Sequence, residues 1–353
     1  MIPYIVLFAM FALGSLDDSA RRRVLRRIAA FCLMLMIGLR FEVGADWNGY
    51  VRIFEDIRRV GLLSAVTRGD PGFYGLNWLV HQAGLGFWAV NLVCAIIFTL
   101  GLVRFVERQP NPWLAIVISI PVLSLIVAMS GTRQATAIGF VLFALGAFAE
   151  GRMLRFLVFV GVGTMFHASA ILMLPVAALS YTKNRLQAGL VIAVGFALVE
   201  FLLTSQFDVY VARYTGGDPG SQGAIFRLAM NFIPGVLFLL ASRRYRVEEH
   251  ERLLWRNISF LAVASLFLLP LVPSSTALDR VAFYVIPLQI FVLSRVPYVF
   301  GGTAQAQFLI KLAVIAFSAT VLMVFLLASN HGEYWLPYQF YPLAEPSLED
   351  APN

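Results

Sequence analysis

The chain has 353 residues, 59% of them hydrophobic and 13% charged, with a net charge of +7 at pH 7. Soluble globular proteins carry about 25% charged residues, so the composition excludes that class and places the chain in a membrane. Apolar runs of about 12 to 24 residues, punctuated by arginine clusters, predict helices that close their own backbone hydrogen bonds in lipid, and they exclude the polar–apolar alternation of a β-barrel. The basic residues lie in short loops between helices instead of forming one patch, which argues against nucleic acid as a partner. Cys32 and Cys94, the two cysteines, both fall inside apolar runs and support neither a disulfide framework nor a Cys-based metal site.

The first run, Ile2 to Leu16, has no basic leader before it and no small-residue cleavage site after it, and is expected to stay as a helix. DDSARRRVLRR follows, with five arginines between Arg21 and Arg27. The positive-inside tendency puts it in the cytoplasm and the N-terminus outside. Ile28 to Leu39 then crosses outward and ends on GLRFEVGADWNGY, Gly38 to Tyr50, where Arg40, Glu42 and Asp46 stand among glycines and aromatics. Residues 40–70 are an outer segment whose middle, YVRIFEDIRRVGLLSAV, has the spacing of an amphipathic interfacial helix. GDPGFYGLN opens a short apolar segment carrying His81. Phe87 to Val103 crosses inward to Arg104 and Arg108, Pro112 to Met129 returns outward, and after SGTRQA, with Arg133, Ala135 to Ala149 goes inward.

Loop charge then forces an unusual turn. The stretch SRRYRVEEHERLLWR, Ser242 to Arg256, has five arginines and should be cytoplasmic. Counting backward, Ile225 to Ala241 enters, residues 207–223 form an outer loop, Gly189 to Thr204 exits, and YTKNR is inside. The run from Phe156 to Leu179 must therefore double back, most naturally at FHASA, making two short half-helices with His167 near their tip. Further on, Ile258 to Val272 exits, PSSTALDR lies outside with Asp279 and Arg280, Val281 to Val296 enters, Phe308 to Ser329 exits, and the tail NHGEYWLPYQFYP is outside. The expectation is an all-α polytopic transmembrane helical bundle of about 11 to 12 helices, re-entrant pair included, forming a single domain over residues 1–353.

This topology leaves Arg40, Arg52, Arg58, Arg59, Arg68, Arg133, Arg213, Arg227 and Arg280 on the outer side, where they need a reason. Arg52, Arg58 and Arg59 read as boundary residues meeting lipid phosphates. Four features sit at outward helix ends: Arg40 with Asp46, Arg133, His167, and Asp279 with Arg280. Arginines converging on an outer cavity would grip a polyanion through paired, charge-assisted hydrogen bonds, and a lipid-linked diphosphate is the obvious candidate. No metal or cofactor is called for: the sequence has no DxD-type pair outside, no Cys/His ligand spacing, no Walker loop and no G-x-S-x-G elbow. An ionisable group inside the membrane reads as functional by default, which singles out His167, although a satisfied packing histidine is the alternative. His81, His250 and His331 read as structural or solvated.

GLRFEVGADWNGY, DPGFYGLN, GTRQATA, FHASA and DRVAFY, in this order from about Leu39 to Tyr284, resemble the signatures of the EpsG-like family of Wzy-type exopolysaccharide polymerases. Asp70 stands where the family pattern favours glutamate, and Trp47 where it favours tyrosine. The resemblance implies a GT-C-like, metal-independent glycosyltransferase at the outer face of a bacterial inner membrane, joining undecaprenyl-diphosphate-linked oligosaccharide repeat units into exopolysaccharide. It gives the diphosphate to Arg40, Arg133 and Arg280, the acceptor proton to Asp46 or His167, and sugar or lipid contacts to Trp47, Tyr50, Phe73 and Tyr284. Membrane lipids surround it, and a flippase and a chain-length regulator are the implied partners. A polysaccharide ligase using the same donor, a transporter of the lipid-linked sugar, and a membrane acyltransferase are the rival readings.

Overall fold

Proline and glycine punctuate the apolar runs, and the helices begin and break where they fall. The computed structural model describes residues 1–16, 23–181, 186, 189, 193, 224–271, 275–329 and 332–344, with the side chains at 271, 275–277 and 279–281 outside that description. The described helices, in order, are α1 (Ile2–Ser15), α2 (Arg23–Gly38), α3 (Trp47–Ile57), α4 (Leu62–Val66), α5 (Pro71–Gln82), α6 (Phe87–Val106), α7 (Pro112–Ser130), α8 (Thr132–Ala149), α9 (Met153–Phe166), α10 (Met173–Tyr181), α11 (Ala224–Ala241), α12 (Glu249–Leu268), α13 (Ser275–Leu293), α14 (Val296–Phe300) and α15 (Ala304–Ala328). Prolines at the first turn of α5 and α7 lack only N–H groups that would be unpaired there anyway. Inside α7, Pro121 cannot bond back to the preceding turn, and from Ile120 to Val127 the helix widens into π geometry. Among the described residues, five helices, α6, α7, α8, α11 and α15, are long and apolar enough to cross a membrane. The protein is an all-α, multi-pass helical bundle.

The long central helix α8 packs between α6 and α9. Its approach to α6 depends on absent side chains, because a Cβ on Gly101 would lie 2.2 Å from the Gly139 carbonyl oxygen. Close backbone contact between small residues is a standard way for helices to associate in lipid, where no hydrophobic force drives them together. Around this core α1 packs on α7, α2 on α6, and α11 on both α12 and α13.

The chain doubles back at His167. The Phe148 ring, at the end of α8, touches Phe156 near the start of α9 at 5.6 Å between centroids and Tyr181 at the end of α10 at 6.2 Å. Both feet of the pair thus stand at one end of the bundle. The tip is made by His167, whose extended backbone (φ −158°, ψ 117°) stops α9 before a 3-10 turn, Ala168–Leu172, leads into α10. Each limb is short, α9 rising about 21 Å, as the loop charges require.

Hydrogen bonds fix the remaining ends. Tyr4 donates to the Trp335 carbonyl and Tyr338 to that of Met36, each at 2.9 Å, so the start of α1, the end of α2 and the C-terminal tail share the end that carries the His167 tip. At the opposite end Asn111 donates to Ser15 at 2.8 Å and Arg26 lies 3.7 Å from Glu107. This is the alternation expected from loop charge. Two local expectations change. The amphipathic stretch 50–66 is two helices, α3 and α4, because Gly61 takes an extended conformation between them. The arginine-rich stretch Ser242–Arg256 is already helical from Glu249, whose carboxylate, with that of Glu251, suits the positive end of the α12 dipole. Most of the expected span Gly189 to Thr204, the outer loop 207–223 with Arg213, and the side chains of Asp279 and Arg280 lie outside the described residues.

Candidate functional site

The motif Gly38–Tyr50 leaves α2 and is pinned as irregular backbone. Arg40 is only 1% exposed. Its Nη1 donates to the Ile37 carbonyl at 2.6 Å, its Nε to Val43 at 3.1 Å, and its Nη2 to Asn91 Oδ1 at 3.2 Å and Thr132 Oγ1 at 2.8 Å. Those acceptors come from three parts of the chain, so the guanidinium ties the motif to α6 and to the start of α8. Arg40, expected as a diphosphate ligand, is absent from the lining of the cavity described below, and neutral acceptors surround its guanidinium. The C-terminal tail straps the same backbone from the other side. Phe41 N–H donates to Gln339 at 3.0 Å, Gly44 to Tyr334 at 2.7 Å and Tyr341 to Leu39 at 2.7 Å. Gly44 is obligatory here, since its φ is +106° and a Cβ would sit 2.0 Å from the Met129 carbonyl oxygen.

Arg133 occupies the second position of α8, with its side chain at the helix mouth. Its Nη1 meets Asp70 Oδ2 at 2.9 Å, and its guanidinium carbon lies 5.8 Å from the Tyr50 ring centre and 5.9 Å from that of Phe73. Asp70 is fully buried. A carboxylate and two aromatic faces thus hold one arginine in a single orientation, the use for which a planar guanidinium is suited. Tyr50 and Phe73, expected as sugar or lipid contacts, serve here as the bed for Arg133. Tyr50 also reaches the cavity, whereas Phe73 is wholly buried. Trp47 stays off the cavity wall, packing edge-on against Phe41 and Phe87 and lying 5.8 Å from the Arg40 guanidinium.

Above this bed lies a cavity of about 900 Å³. Asp46, Tyr50, Arg133, Gln134, His167 and Arg227 supply its polar lining. Four of the expected site residues, Asp46, Tyr50, Arg133 and His167, are thus brought together from three separate parts of the chain. His167 is 5% exposed, and its Nδ1 lies 2.6 Å from Ser169 Oγ, which donates onward to the Tyr284 hydroxyl at 3.5 Å. Tyr284 is buried behind the histidine and supports it. Arg227 comes from α11, with its guanidinium 5.5 Å from the Phe283 ring. Its only signal in the sequence is a cation on the outer side. Asp70 and Ser169 gave less warning still, being a residue before proline and a small polar residue beside a histidine.

The opposite wall is apolar. Phe226, Met230 and Ile233 of α11 face the cavity, as do Phe317, Val321 and Val324 of α15 and Val122 and Ile126 of the π segment. Some of these side chains also form the outer surface of the bundle: Phe226 is 72% exposed and Val324 57%. The cavity therefore passes from a charged head region to a greasy flank between α11 and α15 that opens sideways.

Fold and cavity define a class: a multi-pass helical membrane protein with an internal cavity, polar at one end and apolar at the other. The EpsG family model matches residues 23–340. The chain belongs to the EpsG family, and it is a membrane protein of polysaccharide biosynthesis. No curated protein and no solved structure matches it.

Proposed function

We propose that the protein is a glycosyltransferase that polymerises polyprenyl-diphosphate-linked oligosaccharide repeat units at the periplasmic face of a bacterial inner membrane. The observation that carries this reading is that Asp46, Arg133, His167 and Arg227 line one cavity whose flank, along α11 and α15, is largely apolar. A diphosphate would lie against Arg133 and Arg227 and the open N-terminus of α8, where Ser130 and Gly131 also line the cavity and the helix dipole favours an anion. The polyprenyl chain would leave between α11 and α15. This orientation is supported by the opposite end, where Arg104, Arg108 and Arg152 meet at Glu150, the basic excess expected of a cytoplasmic surface.

In the reaction, the acceptor hydroxyl of the incoming unit forms the new bond to the anomeric carbon of the growing chain. The bond from that carbon to the diphosphate oxygen breaks, and the leaving group takes its electron pair. Fixed guanidinium charges stabilise what develops on the diphosphate. His167 takes the hydroxyl proton. It is held by Ser169 within the lining, whereas Asp46 is exposed at the mouth and is better placed to orient the acceptor.

The test is chain extension by purified protein in detergent, using a polyprenyl-diphosphate oligosaccharide and no ion gradient. Lengthened product supports the polymerase and removes a pure transporter. A deletion strain that accumulates single lipid-linked units supports it further, whereas normal-length chains left unattached would replace it with a ligase.

A further inference from the structure

A second cavity, of about 680 Å³, lies at the far end of α8 from Arg133. The two are separated by the length of that helix, about 27 Å. The last turn of α6, the end of α8, the start of α12 and Arg295, between α13 and α14, all contribute to its wall. Arg108, Arg246 and Arg295 line it, with Glu248 and Glu251.

Charge is out of balance there. Glu150 alone accepts from Arg104 at 2.6 Å, Arg108 at 2.8 Å and Arg152 at 2.8 Å. One carboxylate thus serves three guanidiniums. Arg295 is stacked flat, 4.0 Å from the centre of the Phe291 ring, which in turn stacks on Trp255 at 4.1 Å. Its Nη1 donates to Gln109 Oε1 and to the Phe291 carbonyl. Neither Arg295 nor Arg246 forms an ion pair with a described carboxylate. Burial pulls the pKa of Arg295 down to about 10, against the opposing pull of the Glu251 carboxylate, so at neutral pH it is still a cation. Glu251 is already engaged by the Trp255 indole N–H at 3.1 Å.

We infer that this cavity is a binding site for a phosphate ester, with Arg246 and Arg295 taking the phosphoryl oxygens and the Phe105, Leu145 and Trp255 wall taking the carbon portion. The planar fork of a guanidinium suits phosphate oxygens, and a recess with low-dielectric walls concentrates an anion near an excess of positive charge. The ester comes either from the headgroup of an anionic phospholipid, since basic pockets between helices collect such lipids, or from a soluble phosphate monoester. The site is remote from the cavity assigned to glycosyl transfer and stands or falls independently of that assignment.

Binding is tested on the full chain, purified in detergent, with dioleoyl phosphatidylglycerol and with glycerol 3-phosphate as probes. Retained phosphatidylglycerol is read by native mass spectrometry against phosphatidylcholine. Glycerol 3-phosphate is read by thermal unfolding against chloride at equal ionic strength. At least one probe is expected to bind, and its apparent affinity to fall about tenfold or more in Arg246→Ala and in Arg295→Gln. Arg246 is exposed, so its variant should fold even if the packed Arg295 position does not tolerate change. Binding of the lipid alone identifies a headgroup site, and binding of glycerol 3-phosphate identifies a soluble ligand. The inference is overturned if neither probe exceeds its control, if both variants bind as the parent does, or if Arg58→Ala, at the other end of the molecule, weakens binding equally.

Discussion

The Asp70 carboxylate lies 2.9 Å from Arg133 Nη1 and is wholly buried, while the arginine keeps one side toward the cavity. The asymmetry makes the two partners unequal under mutation. Arg133→Ala leaves a buried carboxylate without its cation, a change that costs about 3 to 5 kcal/mol when such a pair is fully buried, and somewhat less here because the arginine is partly solvated. Asp70→Asn leaves a cation that water can reach, so stability should change little while the guanidinium loses its fixed orientation. The expected result is a folded Asp70→Asn protein with at least about tenfold slower chain extension. In Asp70→Asn/Arg133→Ala, thermal stability should recover relative to Arg133→Ala, and activity should not. Recovery of activity in the double variant would remove the role given to Arg133.

Arg40 belongs to folding and not to the cavity. One guanidinium serves four acceptors, the Ile37 and Val43 carbonyls, Asn91 Oδ1 and Thr132 Oγ1. Arg40→Ala strands them in a buried site at about 1 to 3 kcal/mol for each group left unsatisfied. Arg40→Lys should restore only part of the loss, because one ammonium cannot reproduce the spread of the fork. Thermal unfolding should fall sharply in both variants, and polymer should decline in step with folded protein. Full stability with no product would return Arg40 to the reacting groups.

Much of this architecture was legible in the sequence. The bundle follows from apolar length and arginine placement, and the doubling back at His167 follows from loop charge alone, because a single crossing there would invert every later loop. That Asp46, Arg133 and His167 would face a cavity was legible because ionisable groups at a membrane boundary need a polar surrounding. Arg40 carried the same signal with a different outcome. Its acceptors, Asn91 and Thr132, lie far along the chain, and no local pattern separates an arginine facing a cavity from one that clamps a turn. The tail gave no sign that it would pair with Phe41 and Gly44. Short irregular segments have no period to read, and their partners are set by tertiary contact.

Ser169 should govern which nitrogen of His167 carries its proton. The 2.6 Å contact to Nδ1, with Ser169 donating onward to Tyr284, favours the tautomer in which Nδ1–H donates to the serine and Nε2 is the basic nitrogen. His167→Gln should cost about 100- to 10,000-fold in turnover, the range for loss of a general base. Ser169→Ala should slow turnover less and change its pH profile, whereas Ser169→Thr, which keeps the hydroxyl, should restore much of the rate. Nitrogen NMR of labelled histidine reports the tautomer directly, and a protonated Nε2 at neutral pH would assign the proton transfer elsewhere.

Trp335 joins the strap to the cavity. Its indole N–H donates to the Leu125 carbonyl at 3.1 Å within the π segment, its carbonyl accepts from Tyr4, and its ring meets Phe325 edge-on at 5.0 Å while lining the cavity. A π turn leaves carbonyls poorly placed for bonding within the helix, so an outside donor at Leu125 stabilises the widened geometry. Trp335→Ala removes that donor and a large buried ring, a loss of about 3 to 5 kcal/mol for an aromatic truncation. Trp335→Phe keeps most of the volume and loses chiefly the hydrogen bond, about 0.5 to 1.5 kcal/mol. The first variant should unfold at markedly lower temperature and lose chain extension, and the second should stay folded with a modest loss. Equal stability of both with the parent would mean that the strap does not hold the π segment in place.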